Sequence, residues 1–364
     1  MFTQQDLFEA GTGGYETCRI PGLLATPRGS LLAWCEARKG GHHDWVDIDI
    51  LLRRSDDGGR TWGPPQLLLD SADLPVHNTV MIANPANGAI HLLYCVNYAR
   101  CFYRRSDDDG HTFPRPVEIT HVFSRFSDEY DWNVLATGPG HAICLDNGRL
   151  VVPVWLSTGG RNHRPSRVAV IYSDDDGRTW ERGEFVPDTL KNPSETVAVQ
   201  LSDGSVLLNL RNEAPELRRA VSVSRDGASG WSLPRFDPAL KDPICMGNIL
   251  RLPAGADGRS RILFVNADTT ALSRVPEAAA AGRLERANVT VKLSFDGART
   301  WPVARVVEPD LSGYSDLAVT PDGMVHLFYE RGGIEGNIFV TRHLSLASFD
   351  LAWLEETRNK ESAK

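Results

Sequence analysis

Four near-copies of one eight-residue pattern recur along the chain: Ser55-Asp-Asp-Gly-Gly-Arg-Thr-Trp62, Ser106-Asp-Asp-Asp-Gly-His-Thr-Phe113, Ser173-Asp-Asp-Asp-Gly-Arg-Thr-Trp180 and Ser294-Phe-Asp-Gly-Ala-Arg-Thr-Trp301. A degenerate fifth copy runs from Ser224 to Trp231, so the starts are separated by 51, 67, 51 and 70 residues. A pattern returning at that spacing marks a repeat architecture, and a four-stranded blade consumes about that much chain. Within each copy Asp and Gly suit a tight turn, the Thr hydroxyl can bond back to it, and the closing Trp or Phe packs into the adjoining sheet. The Asp-x-Asp-x-Gly order also suggests calcium. The bidentate Glu that an EF-hand loop needs at its twelfth position is missing from every copy, so the turns read as structural staples.

Between the repeats lie short apolar or alternating runs such as Gly29–Cys35, Ile48–Arg54, Ala89–Cys95, Arg149–Trp155, Ser205–Leu210 and Met324–Glu330. Most follow Asp-Gly or Asn-Gly and are rich in β-branched and aromatic residues, which predicts an all-β chain. Only Val275–Glu285, with its alanine run, reads as helix or an ordered excursion. Glycine (32) and proline (22) are spread evenly and no linker is visible, so residues 1–364 are expected to form one domain, with Arg358–Lys364 as a frayed tail.

A net charge of -8 argues against a nucleic-acid surface, though not against an anionic small substrate, because arginines in a pocket act at contact range. The six cysteines are scattered without C-x-x-C spacing and are expected to be reduced, mostly buried thiols. The N-terminal residues carry neither a basic nor an apolar signal region, and no run approaches a membrane span. The chain therefore reads as soluble and cytoplasmic as it stands, or secreted or periplasmic if a leader has been removed. No membrane partner is expected, and the oligomeric state stays open.

The S-x-D-x-G-x-T-W pattern resembles the Asp box of the sialidases, and Cys18-Arg-Ile-Pro21 is similar to that family's Arg-Ile-Pro motif. Further similar segments follow in order: Thr137–Ile143 with Asn147–Pro153, Asn192-Pro-Ser-Glu-Thr-Val197 with Leu208–Glu213, Arg286–Val291, Tyr314–Ala318 and Phe328–Gly332. The resemblance spans nearly the whole chain. It implies a six-bladed β-propeller and a retaining exo-glycosidase that hydrolyses terminal α-linked sialic acid, N-acetylneuraminic acid or a relative such as its deaminated analogue, without metal or cofactor.

A 2-keto sugar acid carries its carboxylate on the anomeric carbon. The resemblance assigns the grip on that anion to Arg19, Arg211 and Arg286, with Glu330 orienting Arg19. Guanidinium is always charged and binds carboxylate with paired bonds, each charge-assisted contact contributing roughly 1.5–3 kcal/mol. The same anion disfavours a carboxylate nucleophile, and sialidases use a tyrosine instead. Tyr314 takes that role by resemblance, with Glu195 as its base, since a phenol of pKa about 10 needs one at neutral pH. The loop Arg38-Lys-Gly-Gly-His-His-Asp44 resembles the family loop that bears the general acid, which assigns that role to Asp44, and Arg38 resembles the family arginine that reaches the hydroxyl on ring carbon 4. Asp47 and Asp49 compete with Asp44 but alternate with Val46, Ile48 and Ile50 as strand residues do.

His42 and His43 beside Asp44 suggest a metal, yet neighbours on an extended chain point to opposite faces, which favours a loop or substrate role. Cys18 stands where the family has an aromatic residue, and no apolar pocket for an N-acetyl methyl is visible. Two other readings keep the propeller: a lyase or altered glycosidase acting on another acidic sugar, and a glycan-binding module without turnover.

Overall fold

The computed structural model describes residues 1–253 and 257–361, the side chains of 357–361 excepted. The apolar runs form antiparallel strands, and among the described residues these make one sheet of seven strands and four of four or five. Gly29–Cys35 overlaps the strand Leu31–Lys39 from Leu31 onward, Ile48–Arg54 falls within Asp47–Ser55, and Met324–Glu330 overlaps Val325–Ile334 from Val325 onward. Val275–Glu285 contains a short helix, Pro276–Ala280. The expected tail differs: the helix Leu351–Glu361 continues past Arg358, while residues 362–364 lie outside the described residues. None of the six cysteines forms a disulfide, and five are buried.

The innermost strands touch in a closed circuit. Thr17–Ala25 meets Val76–Ala83, which meets Val134–Thr137; Thr196–Gln200 joins Leu150–Ser157 to Asn248–Arg251; and Val303–Val319 returns to Thr17–Ala25. The circuit is closed by the termini. Phe2–Glu9 pairs antiparallel with Asn337–Phe349, Phe2 opposite Phe349, and the N-terminal ammonium bonds Asp350 at 2.7 Å.

The recurring octapeptides are turn staples. In the first, Ser55 Oγ donates to Asp57 Oδ1 (2.8 Å) and accepts from Gly59 N (2.8 Å), while Thr61 gives both its amide and its hydroxyl to Asp57 (2.9 and 2.6 Å). The same bonds recur around Asp108, Asp175 and Asp296. In the degenerate copy Ser229 replaces the missing threonine, its hydroxyl reaching Asp226 at 2.9 Å. The acid next to the stapled one reaches the preceding sheet, where Arg54 holds Asp109 and Arg105 holds Asp176, each at 2.5 Å. The repeats thus fasten turn to turn and sheet to sheet.

At the centre one carboxylate collects donors from several sheets. Asp316, with no exposed surface, accepts Leu23 N (2.8 Å), His141 N (3.0 Å), His141 Nδ1 (2.6 Å), Asn248 Nδ2 (2.5 Å) and Leu317 N (2.8 Å). Losing such a partner strands several buried donors at once, each costing about 1–3 kcal/mol. Asp316→Ala should therefore lower unfolding free energy by at least about 3 kcal/mol in urea titrations, whereas Asp57→Ala, at an exposed staple, should cost only about 1 kcal/mol.

Candidate active site

One end of the circuit opens into a cavity of about 210 Å³ that brings together Arg19, Arg38, Asp44, Glu195, Arg211, Arg286 and Tyr314. Glu330 stands behind it, fully buried.

Arg19 projects from a bulged strand. The register of Thr17–Ala25 against Leu31–Lys39 shifts between Arg19 and Gly22, and Ile20 takes a left-handed φ of 56°. Gly22 permits this, because a Cβ there would lie 2.1 Å from the Trp34 ring. Glu330 then fixes the result. It accepts Arg19 Nε at 3.0 Å, Ile20 N at 3.3 Å and Tyr314 N at 3.0 Å. Gly313 is required for the same reason, since its Cβ would come within 2.3 Å of Glu330 Oε2.

Glu195 and Arg211 sit at the open end of the hairpin Thr196–Gln200/Val206–Leu210, one residue beyond the Thr196–Leu210 pair. Their side chains form a salt bridge. The Tyr314 hydroxyl donates to Glu195 Oε1 and accepts from Arg211 Nη1 at 2.6 Å. Three guanidinium carbons surround the Tyr314 ring, those of Arg286, Arg19 and Arg211 at 5.2, 5.5 and 6.0 Å from its centroid. Arg286 is steadied by Ile244 O at 2.6 Å. This arrangement concentrates positive charge around a phenol whose proton already faces a carboxylate.

Asp44 lies across the cavity, its carboxylate 2.8 Å from Arg38 Nη2. Arg38 is almost wholly buried and also bonds Glu36 (3.0 Å) and the carbonyl of His42 (2.5 Å). It therefore holds the Asp44 loop in place. Burial pushes the Asp44 carboxyl up, but the charges of Arg38 and then Arg19 prevail and hold it at about 2. Burial raises the Glu36 carboxyl despite Arg38. The rivals are engaged elsewhere: Asp49 holds Lys39 (2.7 Å) and the Tyr15 hydroxyl (2.6 Å), and Asp47 lies 3.3 Å from Lys39. His42 and His43 occupy bends rather than the extended chain the sequence suggested, and His43 Nδ1 accepts the amide of Trp45.

The sequence reading missed an aromatic wall. Tyr98, Trp155 and His163 line the cavity, backed by Trp45 and His77. Tyr98 stacks on His77 at 3.8 Å and meets His163 at 4.6 Å and Trp155 at 6.0 Å. Burial drives the His77 ring well below its ordinary pKa, against the pull of Asp44. Trp155 belongs to an apolar strand and Tyr98 to a turn, so neither carried a pattern that set it apart. Among the described residues, no group of three or more His, Cys, Asp or Glu side chains is placed to hold a metal ion.

A sequence profile of the BNR repeat-like domain family matches residues 29–327. A sialidase of Micromonospora viridifaciens is 31% identical over 386 aligned residues, which cover 97% of this chain and 54% of that protein. A sialidase of Bacteroides fragilis is 26% identical, with 88% and 61% covered. The chain thus spans little more than half the length of these relatives. Among solved structures, the Hadza microbial sialidase Hz136 superposes with a TM-score of 0.80 at 26% identity, covering 96% of this chain and 69% of that one. The intramolecular trans-sialidase from Ruminococcus gnavus gives 0.77 at 18% identity, with 96% and 98% covered. A circuit of antiparallel sheets stapled by Asp boxes defines a β-propeller, and this chain belongs to the BNR-repeat sialidase family.

Two outcomes follow from the site geometry. Glu330→Gln should lower stability by about 3–5 kcal/mol in urea unfolding, because it leaves Arg19 buried without its counter-charge. Arg38→Met should move the Asp44 titration from about 2 to near or above the ordinary 3.9, read from the carboxyl carbon by NMR.

Proposed function

We propose that this protein is a retaining exo-glycosidase that removes terminal α-linked sialic acid, or a related 2-keto-3-deoxy sugar acid, through a covalent glycosyl-tyrosine intermediate. The observation that carries this reading is the Tyr314 hydroxyl held between Glu195 and Arg211, with three arginines around its ring.

The sugar carboxylate would be taken by Arg19, Arg211 and Arg286. The anomeric carbon bears that carboxylate and is thereby carried to the phenol. Tyr314 attacks it as its proton passes to Glu195, while the glycosidic bond breaks and the leaving oxygen takes a proton from Asp44. In the second half Asp44, now a carboxylate, removes a proton from water. The water oxygen bonds the anomeric carbon, and Tyr314 departs with the proton returned from Glu195. Two displacements at one carbon retain its configuration. A neutral hydroxyl approaches the substrate anion without the repulsion a carboxylate nucleophile would meet.

Asp44 is ionised in the open site, so an acid step requires substrate to change its surroundings. A bound carboxylate offsets the charge of Arg19, and the sugar itself displaces water from the cavity; both raise the Asp44 pKa. Protonation is then coupled to binding. The basic limb of kcat, which reports the complex, should fall at higher pH than that of kcat/KM, which reports the free enzyme; superimposable limbs would remove Asp44 from the acid role.

The aromatic wall supports an N-acyl sugar, because Tyr98, Trp155 and His163 offer an apolar face beside Asp44 to a methyl-bearing substituent. Six blades are supported by the path of one strand. Val303–Val319 pairs with Ala287–Ser294 through Leu311 and with Val325–Ile334 from Ser312 onward, which divides the seven-stranded sheet into a four-stranded group on each side. Counted with the other four sheets, that division favours a single domain of six blades.

The direct test is proton NMR of α-linked N-acetylneuraminyl lactose with the protein and with Tyr314→Phe. The expected first product is the free sugar as its α-anomer, with loss of at least about 100-fold in kcat or a change of anomer in the variant. Release of the β-anomer first, or an unaltered variant, overturns the tyrosine mechanism.

A further inference from the structure

Arg219 is a guanidinium with no exposed surface, and the reaction makes no use of it. It lies outside the lining of the catalytic cavity, as does its acid partner Asp242, which is also buried. Burying such a pair confers little stability relative to apolar packing, so its place in the fold calls for another explanation. That place is between the supports of Arg211 and Arg286, two of the arginines around the Tyr314 ring.

Arg219 belongs to the strand Arg218–Ser224, the neighbour of Val206–Leu210, beyond whose end Arg211 stands. The register against Arg235–Lys241 shifts between Arg218 and Ala220, so the pairing skips Arg219. Its donors then divide between two segments of backbone. Nε and Nη2 bond Asn209 Oδ1 (2.6 Å) and Asn209 O (3.0 Å), two residues before Arg211. Nη1 bonds Cys245 O at 3.2 Å and lies 3.4 Å from Asp242 Oδ2. Asp242 Oδ1 accepts Cys245 N at 3.0 Å, which closes the loop 242–245. Inside this loop Ile244 takes a left-handed φ of 58°, unfavourable for a β-branched residue, and its carbonyl accepts Arg286 Nη2 at 2.6 Å. Asp242 also acts on Arg211 directly: burial opposes the Arg211 charge, while Tyr314 and then Asp242 favour it and prevail.

We propose that Arg219, with Asp242, is a positioning pair that fixes Arg211 and Arg286 at the separation and direction a single carboxylate requires. The inference rests on the glycosidase reading above and deepens it to the source of selectivity for an acidic sugar. Asn209 O ties the pair to the strand that presents Arg211, and Cys245 O ties it to the loop that steadies Arg286. A guanidinium suits the task because its planar fork reaches both segments in fixed directions at once, which an ammonium on a flexible stem does not.

The test measures competitive inhibition of lactoside hydrolysis, at neutral pH, by free N-acetylneuraminic acid and by its methyl ester, which lacks the anion. The native protein should bind the acid more tightly. Arg219→Lys keeps a charge beside Asp242 and loses the fork. It should raise the inhibition constant of the acid about tenfold, the scale of one charge-assisted hydrogen bond, and leave that of the ester within about twofold. A merely structural role would reduce the amount of active protein and leave both constants where they were. Asp242→Asn keeps the size of the side chain and removes the counter-charge, so it should shrink the same acid-to-ester preference even where the lysine variant does not fold. An unchanged preference in a folded variant, or equal weakening of both inhibitors, would overturn the positioning role while leaving the glycosidase reading in place. Hydrolysis by a native protein that does not prefer the acid would remove the carboxylate grip and the proposal with it, and no hydrolysis at all would overturn the glycosidase reading itself.

Discussion

The Glu330 carboxylate is the interaction on which the site depends. It is fully buried, comes from the sheet that closes the circuit, and binds the Arg19 side chain together with the backbone of Ile20 and Tyr314. One acid thus fixes an arginine of the first inner strand relative to a tyrosine nearly three hundred residues later. Sequence spacing has no bearing on their separation. Asp316, two residues past Tyr314, performs the corresponding task for the scaffold by gathering donors from the segments of Leu23, His141 and Asn248. Because strand Val303–Val319 carries both Tyr314 and Asp316, the centre of the scaffold and the centre of the site share one piece of backbone.

The cavity is charged on nearly every side, and its stability comes from pairing. Arg19 with Glu330, Arg211 with Glu195, and Arg38 with Glu36 are desolvated pairs, while Asp44, the second partner of Arg38, keeps part of its surface open to the cavity. Burying such pairs confers little stability relative to apolar packing, while removing one partner is costly. The arrangement instead holds guanidinium groups in fixed directions before any anion arrives. The Asp44 carboxyl shows the resulting balance: burial favours its neutral form, two arginines favour its charged form, and in the open cavity the arginines prevail.

Much of this was legible in the residues. The octapeptides were visible as turns, and the structure gives each the bonds their chemistry suggests, down to Ser229 standing in for a threonine. What the octapeptides could not reveal was their second task, the reach of Asp109 and Asp176 to arginines of the preceding sheet, because those partners are more than fifty residues away. The polar residues that line the cavity were nameable because they sit in short distinctive segments. Arg38, expected to face the sugar, lines the cavity, and it also bonds the His42 carbonyl and Asp44, a second task that no short segment of sequence displays.

By itself the sequence determined the repeat, the all-β character and the set of charged side chains available for chemistry, since turn preferences and strand periodicity are local and survive without knowledge of the rest of the chain. Only the tertiary structure decided which aromatic residues face the cavity and which acids are held by lysine or tyrosine instead. Trp155 and Tyr98 read as ordinary core and turn residues until the closing of the circuit brings the strand of one and the turn of the other beside Trp45 of the Asp44 loop. Contacts of that kind arise from the positions of whole sheets relative to one another, which no short window of residues encodes.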